Sequence, residues 1–307
     1  MGYVFPSEAD SRNGIMTRPA WVPAELYPFE DRYVKAAGAN VHYVDEGNGP
    51  PLLLLHGNPT WSFLYREVIK GLRDRYRCIA VDYPGFGLST APGGYGFTSA
   101  EHAHVLEQFV TSLDLQDVTM MTQDWGGPIG FAVATRHPAR FTRFVIGNTW
   151  AWPMGDMKAR VFSGLLGGPV GGYLIKRHNI FVEKILPAGV KRHALPEEVM
   201  NAYRGPFASV SARRAVHVLP REIIHSKEFL QGIERGLPAL RDRPALILWP
   251  SDDLAFADIH RARWEEAFPS HRTVRLEGAG HFIQEDAAEE IVAAIRDWVP
   301  GDPSEAQ

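Results

Sequence analysis

Three observations predict an α/β fold with a mostly parallel central sheet flanked by helices. The chain holds apolar runs of strand length, amphipathic stretches of helical period, and a regular alternation of the two. Asn40-Val41-His42-Tyr43-Val44 alternates apolar and polar side chains, as a half-buried strand does. Pro51 to Leu55 is apolar throughout, the pattern of a strand covered on both faces. Arg77 to Val81, Val118 to Met121, Phe144 to Ile146, Ala245 to Leu248 and Thr273 to Leu276 read the same way. Helices fall between them. Thr98 with Glu101 three residues later is a capping-box signature, and Val105, Leu106, Phe109, Val110 and Leu113 follow with helical spacing. Ile291, Ile295, Trp298 and Val299 form a last apolar stripe, closed by Pro300-Gly301. Residues 1–25 carry no period and read as an irregular lead-in, and residues 301–307 read as a tail.

The alternation fails between residues 152 and 220, where no run has the character of a buried strand. This stretch holds helix-like patches at Ala159 to Leu166 and Pro196 to Tyr203, and a loop at Gly167-Gly168-Pro169 with Gly171-Gly172. It reads as a helical cap inserted at the carboxyl edge of the sheet, where open α/β folds place ligands. A separate interaction module is the alternative. Residues 26–151 and 221–300 then form the core.

Composition narrows the function classes. The 307 residues are 45% hydrophobic and 22% charged, which is too apolar for disorder. Lys and Arg number 32 against 36 Asp and Glu, so nothing favours a nucleic-acid partner. Cys78 stands alone, which excludes an intrachain disulfide and an all-cysteine metal site. The first twenty residues lack a basic head followed by an apolar stretch. Leu52 to Leu55 is far shorter than the roughly 20 residues that cross a bilayer. A soluble, cytoplasmic protein with no membrane partner is expected.

Three segments carry chemistry. Met121-Thr122-Gln123-Asp124-Trp125-Gly126-Gly127 follows an apolar strand and precedes a helix expected to begin near Pro128. Small residues at 122, 126 and 127 suit a nucleophile elbow, which holds its central side chain out at the top of the sheet. Asp124 stands where such elbows usually carry serine; a helix-capping aspartate is the bland alternative. His56-Gly57-Asn58-Pro59 follows a buried strand, where a loop supplies one backbone N–H of an oxyanion hole. Asn58 and Trp125 would give the two donors. Gly278-Ala279-Gly280-His281 presents the histidine best framed for catalysis among twelve. His102 and His104, two apart on a helix, point to nearly opposite sides and make no ligand pair. Gln284, Glu285 and Asp286 read as caps of the final helix. Asp252 and Asp253 follow the Ala245 to Leu248 strand, and Asp253 is taken as the acid that orients His281, with Asp252 in reserve. The order Asp124, Asp253, His281 is the nucleophile, acid, histidine order of α/β hydrolases.

On these motifs, with His56-Gly57-Asn58-Pro59-Thr60-Trp61, Gln123-Asp124-Trp125-Gly126-Gly127 and Gly280-His281-Phe282-Ile283-Gln284-Glu285-Asp286 the strongest, the chain resembles the haloalkane dehalogenases of the α/β-hydrolase superfamily. The match runs from about Leu26 onward. The resemblance implies Asp124 as nucleophile, His281 as base, and Asn58 and Trp125 as halide donors. It implies a small halogenated hydrocarbon as substrate, with no metal or organic cofactor. Family members place the acid after one of two strands. The earlier position falls near Asn148-Thr149-Trp150, which has no carboxylate, and the later one falls on Asp253. That choice, with Asn58 as second halide donor, resembles a less-studied subgroup whose members tend to form oligomers.

A dry, apolar pocket under the cap is expected, with Trp150, Trp152, Phe162, Leu165 and Phe181 as candidate lining. Two other readings stay open. An epoxide hydrolase shares the aspartate and histidine but protonates a ring oxygen, typically with cap tyrosines, here Tyr173 and Tyr203. A catalytically silent ligand receptor is the other. A serine esterase is weaker, since the elbow holds no serine.

Overall fold

The computed structural model describes residues 18–298. Most of the lead-in, Val299 and the tail 301–307 lie outside the described residues. Among the described residues eight strands form one sheet: β1 (Arg32–Ala36), β2 (Ala39–Glu46), β3 (Pro51–Leu55), β4 (Arg77–Val81), β5 (Val118–Asp124), β6 (Phe141–Thr149), β7 (Ala245–Pro250) and β8 (His271–Leu276). Their order is β1-β2-β4-β3-β5-β6-β7-β8. β2 pairs antiparallel with β1 and with β4, and every later pair is parallel.

Helices follow the strands: α1 (Arg66–Leu72), α2 (Ser99–Ser112), α3 (Gly126–Arg136), α4 (Met157–Gly167), α5 (Pro169–His178) and α6 (Leu186–Gly189). Then come α7 (Glu197–Arg204), α8 (Arg214–His225), α9 (Lys227–Gly236), α10 (Asp258–Ala267), α11 (Ile283–Asp286) and α12 (Ala288–Asp297). α1 packs on α12, and α2 and α9 pack on α3. Covering of both faces explains why Leu52 to Leu55 must be continuously apolar; all four are buried between β4 and β5. The capping box at the start of α2 is present in full, with Thr98 accepting from the Glu101 amide and Glu101 from the Thr98 amide.

Between β6 and β7 the chain is helical from α4 to α9. The expected cap boundary at residue 220 falls inside α8, which carries Pro220 within it. Gly171 and Gly172, expected in a loop, lie inside α5 instead. α4 and α5 cross so closely that a Cβ at Gly171 would sit 2.2 Å from the Leu165 carbonyl oxygen.

Gln284, Glu285 and Asp286 do not cap α12, whose N-cap is Ala287 without a side-chain bond. The Glu285 carboxylate holds the Arg66 guanidinium in a two-pronged pair at 2.5 and 2.8 Å, and accepts from the Tyr203 hydroxyl. Both charged side chains are nearly fully buried. Asp286 accepts from the Gly280, Lys191 and Arg192 amides, which fixes the glycine loop ahead of His281. Removing one member of a buried pair strands the other charge, at a cost of about 3–5 kcal/mol. Glu285→Ala is therefore expected to lower the urea midpoint by that amount in free energy, measured at neutral pH. A change below about 1 kcal/mol would contradict the pairing.

Candidate active site

Every sequence-predicted site residue lies at the carboxyl edge of the sheet: Asn58 after β3, Asp124 at the end of β5, Asp253 after β7, His281 after β8. Asp124 takes φ +48°, a left-handed conformation that non-glycine residues rarely adopt. The chain must turn there from β5 straight into α3, and close contacts enforce the turn. A Cβ at Gly126 would lie 2.2 Å from the Leu55 carbonyl oxygen, so only glycine lets α3 start so near β3. A Cβ at Gly57 would lie 2.2 Å from Asp124 Oδ1, so the loop after β3 reaches the carboxylate only through glycine. The strain is the cost of presenting this side chain outward. α3 begins at Gly126 rather than near Pro128, and no side-chain cap bond from Asp124 accompanies it.

The Asn58 amide N–H donates to Asp124 Oδ1 at 2.8 Å. Asp124 Oδ2 stands 3.7 Å from His281 Nε2. His281 Nδ1 lies 3.0 Å from Asp253 Oδ2, and the Asp253 side chain is fully buried. Asp252 turns away to Ser251 and is exposed. Burial pulls the His281 imidazole towards neutrality, but Asp253 and Asp124 outweigh it and raise its pKa to about 10. Burial opposes the Asp253 charge, and His281 with Asn148 more than compensates, so the Asp253 pKa is lowered.

The loop that carries Asn58 is locked by His56, whose Nε2 accepts from the Tyr83 amide and whose Nδ1 contacts the Gly57 carbonyl. Burial lowers the His56 pKa and keeps it neutral, which suits one accepting and one donating nitrogen.

Four positions went unassigned in the sequence. The Gln123 and Asn148 carboxamides both donate to the His281 carbonyl, at 3.1 and 2.7 Å, and Asn148 Nδ2 also donates to Asp253 Oδ2 at 2.6 Å. Asn148 thus holds the Asp253 carboxylate and the His281 loop together with one carboxamide. Asn58 Nδ2 donates to the Val216 carbonyl at 3.2 Å. That carbonyl is free because its partner four residues on in α8 is Pro220, which has no N–H. Pro220→Ala would return an N–H to the Val216 carbonyl and release the Asn58 carboxamide. With Asn58 as the halide donor that the resemblance implies, bromide affinity is expected to fall about five-fold, the worth of one hydrogen bond, in titration calorimetry.

Trp125 is buried, and its indole N–H has no hydrogen-bond partner among the described residues. An aromatic wall runs from Trp125 to Trp150 (4.8 Å between centroids), to Phe256 (5.3 Å), to the His281 ring (5.8 Å). Of the expected lining, Trp150 belongs to this wall and Phe181 is buried. Trp152 packs instead between Trp264 and the Arg263 guanidinium. Phe162 and Leu165 face outward, 39% and 64% exposed.

Residues 50–288 match the family model described as alpha/beta hydrolase fold. The chain is 46% identical over 273 residues to haloalkane dehalogenase 2 of Mycobacterium tuberculosis, covering 88% of this chain and 95% of that protein. It is 32% identical over 284 residues to a cis-3-alkyl-4-alkyloxetan-2-one decarboxylase of Shewanella oneidensis, covering 89% of each. The crystal structure of the haloalkane dehalogenase DbeA from Bradyrhizobium elkani superposes with a TM-score of 0.81 at 28% identity, covering 88% of this chain and 97% of that one. An outward aspartate at a strained elbow, facing a histidine backed by a buried acid, thus stands in a chain that belongs to the haloalkane dehalogenase family of α/β hydrolases.

Proposed function

We propose that this protein hydrolyses haloalkanes to an alcohol, a halide ion and a proton through an alkyl ester on Asp124. The observation that carries the reading is the Asp124 carboxylate, with Oδ1 held by the Asn58 amide and Oδ2 turned towards His281. A carbon bearing halogen is saturated, so the nucleophile must enter opposite the leaving group. A carboxylate does so without first losing a proton. The new bond joins Asp124 Oδ2 to carbon, and the halide departs with the electron pair of the broken bond. A halide gains nothing from an acid; it needs N–H donors, here the Trp125 indole and the Asn58 carboxamide.

Ester formation removes the Asp124 charge, one of the two that raise the His281 pKa. The imidazole then sheds its proton more readily and serves as the base. It takes a proton from water, whose oxygen adds to the ester carbonyl carbon. The oxyanion on Oδ1 is held by the Asn58 and Trp125 backbone N–H groups. Collapse expels the alkoxide, which recovers the proton from His281, and the regenerated carboxylic acid at Asp124 loses its own. Asp253 holds the ring in place and balances its transient charge. An Asn58 and Trp125 pair, with the acid after β7, supports the subgroup reading as well.

The epoxide reading loses its acids: Tyr173 is 62% exposed, and the Tyr203 hydroxyl is committed to Glu285. The second reading is the oxetan-2-one decarboxylation that names the Shewanella relative. Bromide release from 1,2-dibromoethane, diol from styrene oxide and carbon dioxide from a dialkyl oxetan-2-one, measured side by side, test all three. Bromide release is expected. Diol or carbon dioxide without bromide, or saturable binding without turnover, would overturn it.

A further inference from the structure

α4 and α5 turn an unusual face outward. On α4, Ala159 and Ser163 are buried, while Met157, Val161 and Leu165, on the opposite side, are 74%, 50% and 64% exposed. On α5, Gly171, Gly172 and Ile175 are buried, while Val170 and Tyr173 are 70% and 62% exposed. Isolated exposed apolar residues are ordinary, but a run of this length along two adjoining helices marks a binding face. Charge selects the partner. The chain carries a net charge of -4, yet residues 157–182 contain Lys158, Arg160, Lys176 and Arg177 and not one Asp or Glu. The nearest acids on either side are engaged: Asp156 accepts from the Ala159 amide, and Glu183 pairs with Arg204. Arg213 adds a further cation over the end of α5, on the Lys176 carbonyl.

We propose that this face docks on an anionic lipid surface. Apolar side chains flanked by cations are the composition of helices that lie in a bilayer interface, and they need no spanning segment. The sequence expectation of no membrane partner rested on spanning length alone, and no helix among the described residues is long and apolar enough to cross a membrane. A second copy of the chain suits the face less well, because a two-fold interface would set the same cations against each other. The face also reaches the site. Lys158 Nζ donates to the Leu254 carbonyl, Leu254 is 75% exposed, and the residue before it is Asp253 on His281. Resting on the reading above, docking would set the site beside a phase in which haloalkanes concentrate.

Vesicle co-sedimentation tests the docking without recourse to activity. The protein is expected to pellet with phosphatidylcholine vesicles containing phosphatidylglycerol, much less with phosphatidylcholine alone, and to be released by salt. Lys176→Gln with Arg177→Gln is expected to lower partitioning roughly five-fold per charge. Val161→Asp with Val170→Asp is expected to abolish it; both positions are exposed, so folding is retained. No binding to phosphatidylglycerol vesicles, or equal binding by these variants, would overturn the proposal. So would a variant that dissociates an oligomer in ultracentrifugation while the parent ignores vesicles. Bromide release from a water-dissolved substrate, run in parallel, reports separately on the reaction.

Discussion

Asp124→Asn is expected to release no halide, with turnover reduced on the order of 10⁴-fold or more and the fold intact. The carboxamide keeps the size of the side chain and its contact with the Asn58 amide, so the elbow has no reason to open. What it lacks is a charged oxygen able to bond to carbon while the halide leaves. The loss should therefore appear in the first turnover, as an absent burst of bromide. A structural role for Asp124 would instead show as a lowered melting temperature with a proportionate loss of activity.

His281→Gln is expected to stop the reaction one step later. Nothing in halide displacement requires the imidazole, so each site should release about one bromide and then stall as the alkyl ester. The deacylation rate should fall on the order of 10²–10⁴-fold, the usual worth of a general base. Quenched-flow bromide measurement with intact-protein mass spectrometry checks both halves: a stoichiometric burst, and an adduct of the alkyl mass. The same division gives the sign of the pH dependence in the parent enzyme. His281 must be neutral to take a proton from water, so turnover falls as pH is lowered through its pKa in the ester. That pKa lies below the value of about 10 in the free protein, because the Asp124 charge has gone. The halide burst should hold across the range in which turnover falls. A burst that titrates together with turnover would place the histidine in the first step.

The fold was legible where burial is two-sided and the pattern one-dimensional. β3 and β4 agree with their sequence-predicted limits, because apolar runs end where the sheet ends. β1 was missed: Arg32–Ala36 is a half-exposed edge strand whose Arg32 and Lys35 hide any period. β5 and β6 run on past their apolar portions to the polar residues Asp124 and Thr149, which pair across the sheet while the Thr149 hydroxyl donates to the Asp124 carbonyl. The meeting of Asn58, Asp124, Asp253 and His281 at one edge of the sheet could be anticipated because glycines and sheet position constrain it. The supporting carboxamides could not, since Gln123 and Asn148 carry no spacing signal and acquire meaning only where β5 and β6 meet the His281 loop. Position 220 was read only as the far boundary of the cap; that Pro220 lies inside a helix and frees a carbonyl above Asn58 was not legible. The capping role given to Glu285 failed because local pattern does not reveal a partner 219 residues away.

A single turnover in oxygen-18 water, with enzyme in excess over a brominated alkane, tests the ester route most directly. The heavy oxygen should be found in the Asp124 carboxylate by peptide mass spectrometry, and the first alcohol formed should carry ordinary oxygen. Heavy oxygen in that first alcohol, with Asp124 unlabelled, would mean that water attacks the halogen-bearing carbon itself.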